Sequence, residues 1–134
     1  MSRASTPRDL EAAAADSVAT PEERRQRHDW AEELANSLTH GVGLVAAIAG
    51  CVLLLVYAAQ EGATHVVAAS IYGATLIGLY ATSTLYHAIP WSKPKRWLRI
   101  ADHTAIFFFI AGTYTPVSLL VLPPAWGWPI LALV

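Results

Sequence analysis

The chain has 134 residues, of which 54% are apolar and 14% charged, with a formal net charge of −1. That balance argues against a basic nucleic-acid-binding surface, so no nucleic-acid partner is expected. A single cysteine, Cys51, excludes an intrachain disulfide; inside an apolar run it reads as a buried free thiol.

The mean hydropathy of +0.40 is unevenly distributed. Residues 1–36 carry five Arg and eight acidic residues, whereas residues 100–134 carry one acid and no Lys or Arg. A polar tail is joined to an apolar body. The tail lacks the apolar core of a cleaved signal, so the first apolar span is expected to act as the insertion signal.

Residues 1–19 are rich in Ala, Ser, Thr and charge and are expected to form a disordered cytoplasmic tail. The pattern changes at Thr20-Pro21-Glu22-Glu23. Here a capping Thr, a Pro at the first helical position and a Glu three residues after the cap announce a helix. Trp30, Leu34 and Leu38 follow at i, i+4, i+8. Residues 20–37 thus read as a cytoplasmic interfacial helix or as a plain extension of the first span.

Four apolar stretches follow, over residues 38–59, 66–86, 100–122 and 125–134. A helix of 20 residues reaches about 30 Å, the thickness of the hydrocarbon core. The first three stretches are long enough to cross it, and the fourth reads as the start of a further span or as a reentrant or interfacial piece. The fold class is all-α, a polytopic transmembrane helix bundle, with residues 38–134 as its membrane domain.

The connections predict its orientation. Residues 60–65 and 123–129 hold no Lys or Arg, while residues 90–99 hold four. Arg24, Arg25 and Arg27 precede the first span. By the positive-inside rule the N-terminus and the 90–99 loop are cytoplasmic in a multi-pass protein of the cell membrane. Trp91, Trp97, Trp126 and Trp128 fall at expected interfaces, where an amphipathic ring is well placed.

Ionisable groups are costly within a bilayer and therefore informative. His40, His87, Asp102 and His103 fall at the expected cytoplasmic ends of the spans, and His65 at the opposite end. Ser83 lies one turn before His87 on the same helix face, and Tyr80 extends that face. Asp102 opens the third span across the short basic loop, so His87 and Asp102 can meet in one cavity. Two readings stand side by side: a metal or hydrolytic site, or side chains resting at the headgroup level. A nucleophilic Ser-His-Asp triad is disfavoured because nothing near Ser83 resembles a strained nucleophile turn. His103 projects about 100° from Asp102 and is expected to pack or hydrogen-bond instead.

Small residues form two rows on the second span, Ala69/Gly73/Ile77 and Ala74/Gly78/Thr82, which read as packing faces. Pro116 is expected to bend the third span, with Thr113, Thr115 and Ser118 available to the freed backbone groups.

The segments Glu33-Leu34-Ala35-Asn36-Ser37-Leu38-Thr39-His40-Gly41, Ser83-Thr84-Leu85-Tyr86-His87, and Asp102-His103 with Ala111-Gly112-Thr113-Tyr114-Thr115-Pro116 resemble hemolysin III proteins. These are the bacterial branch of the progestin and adipoQ receptor family, which includes the adiponectin receptors. The resemblance implies a seven-span bundle with a cytoplasmic N-terminus and a Zn²⁺ site near the cytoplasmic face. It implies His87 as a metal ligand, Asp102 as the residue that holds the catalytic water, and Ser83 as a hydrogen-bond donor. Two further His ligands would come from an H-x₃-H pair in a last span, which these residues do not include. The resemblance implies a zinc-dependent membrane hydrolase acting on a lipid amide, with membrane lipid as its partner. A pore-forming cytolysin and a non-catalytic homeostasis or receptor-like protein are the alternatives; the uniformly apolar third span gives a pore little support.

Overall fold

The structure, a computed structural model, describes residues 6, 7, 20–89 and 93–134. Nearly all of the expected disordered tail, and Trp91 within the basic loop, lie outside the described residues. Among the described residues four α-helices follow one another: α1 (Pro21–Glu61), α2 (Ala63–Ala88), α3 (Lys93–Pro116) and α4 (Pro124–Leu133). A π-helical segment, Val117–Val121, continues α3. Among the described residues three helical stretches are long and apolar enough to cross a membrane: Asp29–Glu61, Ala63–Ala88 and Pro94–Val121.

The start of α1 is the one announced by the sequence. The Thr20 hydroxyl accepts from the Glu23 amide at 3.2 Å, and the Glu23 carboxylate accepts from the Thr20 amide at 2.8 Å. Two amide donors that a helix start leaves free are thereby satisfied. From there α1 runs unbroken for 41 residues through both the segment 20–37 and the first span. At 1.5 Å per residue it is about 60 Å long, twice the hydrocarbon thickness, so much of it must lie outside the hydrocarbon.

The first connection is far shorter than residues 60–65. α1 ends at Glu61, α2 begins at Ala63, and Gly62 alone joins them. Gly62 has φ 114° and ψ 176°, a region that only glycine enters cheaply. Its amide bonds the Ala58 carbonyl at 3.2 Å and its carbonyl accepts from the Val66 amide at 3.2 Å. One glycine thus closes both helices, so the polar residues around it stay helical.

Small side chains let α1 and α2 approach. Ala47 and Ala58 on α1 and Ala68 and Ala69 on α2 are buried. A Cβ on Gly73 would collide with the Cys51 sulfur, and one on Gly43 with the Tyr80 ring. The row Ala69/Gly73 therefore packs as expected. Cys51 is free but half-buried, more accessible than the sequence suggests, because it lies at this seam and not in a closed core. The second row behaves otherwise. Ala74, Gly78 and Thr82 line an open apolar groove with Ala101, Thr104, Ala105 and Phe108 of α3.

Most large apolar side chains of the spans face outward, including Val42, Val45, Val52, Leu53, Phe107 and Phe108. In a lipid solvent that is the expected placement, since tails accept Leu or Phe as readily as a core does. Pro116 marks a change of helix type. It cannot donate to the Gly112 carbonyl, and beyond it the hydrogen bonding lengthens, as in the Leu122 amide to Val117 carbonyl bond at 3.1 Å. Thr113 and Thr115 donate instead to the Ile110 and Ala111 carbonyls, at 2.7 and 2.9 Å. The buried Ser118 hydroxyl finds no partner among the described residues.

Candidate functional site at the Glu33 end of the bundle

Two polar stripes meet where α1 and α2 pack. Glu33 and His40 are seven residues apart on α1, and Tyr80 and His87 are seven apart on α2. Seven residues is two turns, so each pair shares a helix face. Because the helices are antiparallel, Glu33 comes opposite His87 and His40 opposite Tyr80. The His40 and Tyr80 ring centroids are 6.0 Å apart, and those of His40 and His87 are 5.9 Å apart.

Glu33 is the hub. Its Oε2 is 2.8 Å from His87 Nδ1, and its Oε1 accepts from Lys95 Nζ at 2.6 Å. One carboxylate thereby ties α1 to α2 and to the first turn of α3. The Lys95 ammonium also lies 5.0 Å from the centre of the Tyr86 ring, which stands edge-on to His87 with 4.8 Å between ring centroids. All three ionic side chains are largely covered, with 24%, 18% and 11% of the Glu33, His87 and Lys95 side chains exposed. In such surroundings a charge-assisted bond counts for more than it does on an open surface. From Gly62 back to Glu33 is about 43 Å along α1, more than the hydrocarbon thickness, so an upright α1 cannot hold both within the hydrocarbon.

His87 stands in the cluster, where its polar and ring neighbours are Glu33, His40 and Tyr86. No hydrogen bond or ion pair joins it to Asp102. Asp102 is half-buried, and its ionic neighbour is His103, whose Nδ1 is 3.8 Å from Oδ2. The reason is helical geometry. Lys95 and Asp102 share a face of α3, but Asp102 lies seven residues further along, about 10 Å. Lys95, on the first turn, occupies the place nearest His87. Ser83 is buried at 4% exposure, one turn from His87, and its hydroxyl does not bond to His87. His103 donates from Nδ1 to the Arg99 carbonyl at 2.8 Å, in keeping with a hydrogen-bonding role. His40 Nδ1 is sealed from solvent and has no hydrogen-bond partner among the described residues.

Glu33, Lys95 and His40 are the members that sequence reasoning did not assign to the site. The matched seven-residue spacings of Glu33/His40 and Tyr80/His87 were the available signal. Lys95 gave none, being one of four basic residues in its loop.

With Nδ1 of His87 engaged by Glu33, Nε2 is the ring nitrogen left to a ligand. The described residues contain no group of three His, Cys, Asp or Glu that could hold a metal ion.

Residues 28–134 match the family described as Haemolysin-III related. The chain is 42% identical to Hemolysin-3 of Bacillus cereus over 104 residues, covering 77% of this chain and 48% of the relative. It is 43% identical to the Hemolysin-3 homolog of Bacillus subtilis (strain 168) over 104 residues, covering 77% and 49%. With the human monocyte to macrophage differentiation factor it shares 32% identity over 101 residues, covering 72% and 42%. The chain therefore spans about half the length of the curated relatives it matches. No solved structure matches it. An all-helical chain with three membrane-span-like helices, matched over its whole apolar body, belongs to the haemolysin-III-related family.

Proposed function

We propose that the protein is a zinc-dependent membrane hydrolase acting on a lipid amide, with the Glu33–His87–Lys95 end of its bundle facing the cytoplasm. The observation that carries this reading is the state of His87. Its Nδ1 is held by a carboxylate and its Nε2 is left to a ligand. A zinc-ligating imidazole commonly has this arrangement. The buried, unpartnered Nδ1 of His40 beside the same ring is a second polar atom lacking its partner.

The donors of this chain fit zinc as part of a shell. His87 supplies one imidazole; catalytic zinc takes three protein ligands, so two more would be needed beside it. Bound zinc would lower the pKa of water and polarise an amide carbonyl. The chain's own residues would do the rest. Asp102, on the same face of α3 as Lys95, would orient the attacking water and take its proton on the carboxylate. The Ser83 hydroxyl would donate to the substrate carbonyl. The outward apolar faces of α1 and α3 would hold the protein where a lipid substrate is dissolved.

The test is metal content per purified full-length protein. His87→Ala should abolish stoichiometric zinc. Asp102→Ala should keep most of the metal but lose hydrolysis, and His65→Ala, at the other end of α2, should change neither. Full zinc occupancy in His87→Ala would sink the metal reading.

Orientation has its own test. Trp97, 72% exposed near the start of α3, is replaced by Cys in a Cys51→Ala background. An impermeant thiol reagent applied to intact cells should leave position 97 unlabelled. Labelling there would place the site on the outer face.

A further inference from the structure

We propose that Glu33 is a positioning residue for His87: its carboxylate, clamped by Lys95, fixes the imidazole as the Nδ1–H tautomer and so reserves Nε2 for a ligand. The inference rests on the zinc reading only for the identity of that ligand.

The geometry assigns separate tasks to the two carboxylate oxygens. Oε2 sits 2.8 Å from Nδ1, and a carboxylate only accepts, so the proton of that bond belongs to the imidazole nitrogen. Oε1 takes the Lys95 ammonium at 2.6 Å. With both oxygens engaged by different helices, the carboxylate plane is fixed and the ring plane of His87 is fixed with it. The Tyr86 ring, 4.8 Å away at an interplanar angle of 62°, closes another side of the imidazole. A free imidazole exchanges its proton between the two nitrogens. Here the exchange would break a charge-assisted bond, so the Nε2 lone pair stays available.

Placement argues for positioning over simple packing. Glu33 is 54 residues from His87 and 62 from Lys95 in the chain, and its two bonds pin α1 to both other spans at this end. A carboxylate used only to hold helices together would not need a histidine as partner. A lysine on each neighbouring helix would do that at any pH.

The experiment uses the full-length protein in lipid nanodiscs, first metal-free with ¹⁵N-labelled histidine and then titrated with Zn²⁺ alone. The wild type should show His87 protonated on Nδ1. Glu33→Ala should move the proton toward Nε2 and lower zinc affinity by about 10–100-fold, the usual loss when a ligand's supporting carboxylate is removed. Glu33→Asp should restore part of both signals. If Glu33→Ala does not accumulate, Glu33→Gln, which keeps the size, should still weaken zinc binding more than Asp29→Asn on the exposed start of α1.

An unchanged His87 tautomer in Glu33→Ala overturns the proposal. So does unchanged zinc affinity in a protein whose zinc is lost in His87→Ala; the metal reading then survives alone. If the tautomer shifts but His87→Ala still holds zinc, the positioning role stands and the metal reading fails.

Discussion

The two interhelical seams of this bundle are built from similar residues and close in different ways. Between α1 and α2, the helices touch along their length: Glu33 with His87, the Tyr80 ring over Gly43, and Cys51 against Gly73. Between α2 and α3, contact is made toward the two ends. Lys95 lies over Tyr86 at one end; at the other Thr75 fills the space beside Gly112, and the Tyr72 and Phe109 rings are 6.1 Å apart. Between these ends runs the groove of Ala74, Gly78 and Thr82. Small residues therefore permit close approach without compelling it. What closes the first seam is a partner of the right size opposite each gap, together with an ion pair at its end.

The groove is apolar although three threonines line it. Thr75, Thr82 and Thr104 each donate to a carbonyl of their own helix, to Tyr72 at 2.9 Å, Gly78 at 2.9 Å and Ile100 at 2.7 Å. A hydroxyl satisfied within its own turn presents mainly its methyl group to the outside. The polar end differs, because Glu33 bonds His87 and Lys95 across helices, and His40 Nδ1 has no partner among the described residues.

The largest expected effect breaks the closed seam. Gly73→Ala adds a Cβ where the Cys51 sulfur already sits, with the Cys51 Cβ only 3.2 Å from it. Turning the Cys51 sulfur aside still leaves its Cβ in tight contact, so the helices must part somewhat. Overpacking of this kind costs about 1–3 kcal/mol. The measurement is resistance to unfolding in a mild detergent titrated with SDS. Pairing the change with Cys51→Gly should recover most of the loss, since it removes the colliding sulfur. A Gly73→Ala protein as stable as wild type would mean that the α1–α2 seam is looser than described.

How much of this was legible before the structure follows the same division. Spans, the capped start of α1 and the polar end of α2 were readable because each is a local pattern: an apolar run, Thr20 with Glu23, Ser83 and His87 one turn apart. The single-residue link at Gly62 was not, because Gln60, Glu61, Thr64 and His65 look like a loop; a positive φ at one glycine let them stay helical. The partnership of Glu33 with His87 and Lys95 was legible only in part. Residue spacing places Glu33 and His40 on one face, but which helix that face meets is decided by packing over 54 residues of chain. Asp102 is a further case: its position at the head of a span was legible, but its ion-pair neighbour is His103, the next residue on α3, and it makes no direct bond to His87.

The smallest expected effect sharpens the contrast on the same helix. Gly78 lies five residues beyond Gly73, and a Cβ there meets nothing within 4 Å. Gly78→Ala in the 134-residue chain should therefore encounter no steric resistance. It should instead reduce the backbone freedom of the unfolded chain, a gain of about 0.5–1 kcal/mol for alanine over glycine inside a helix. In a bilayer the gain shrinks, because even the unfolded reference keeps much of its helix. The prediction is thus a change between zero and a slight rise in the same SDS titration, opposite in sign to Gly73→Ala. The Thr82 hydroxyl accepts no new neighbour and keeps its bond to the Gly78 carbonyl, so the substitution should not disturb the polar end either. A loss as large as that of Gly73→Ala would show that the groove is occupied in the folded protein, with Gly78 as a close-contact position like Gly73.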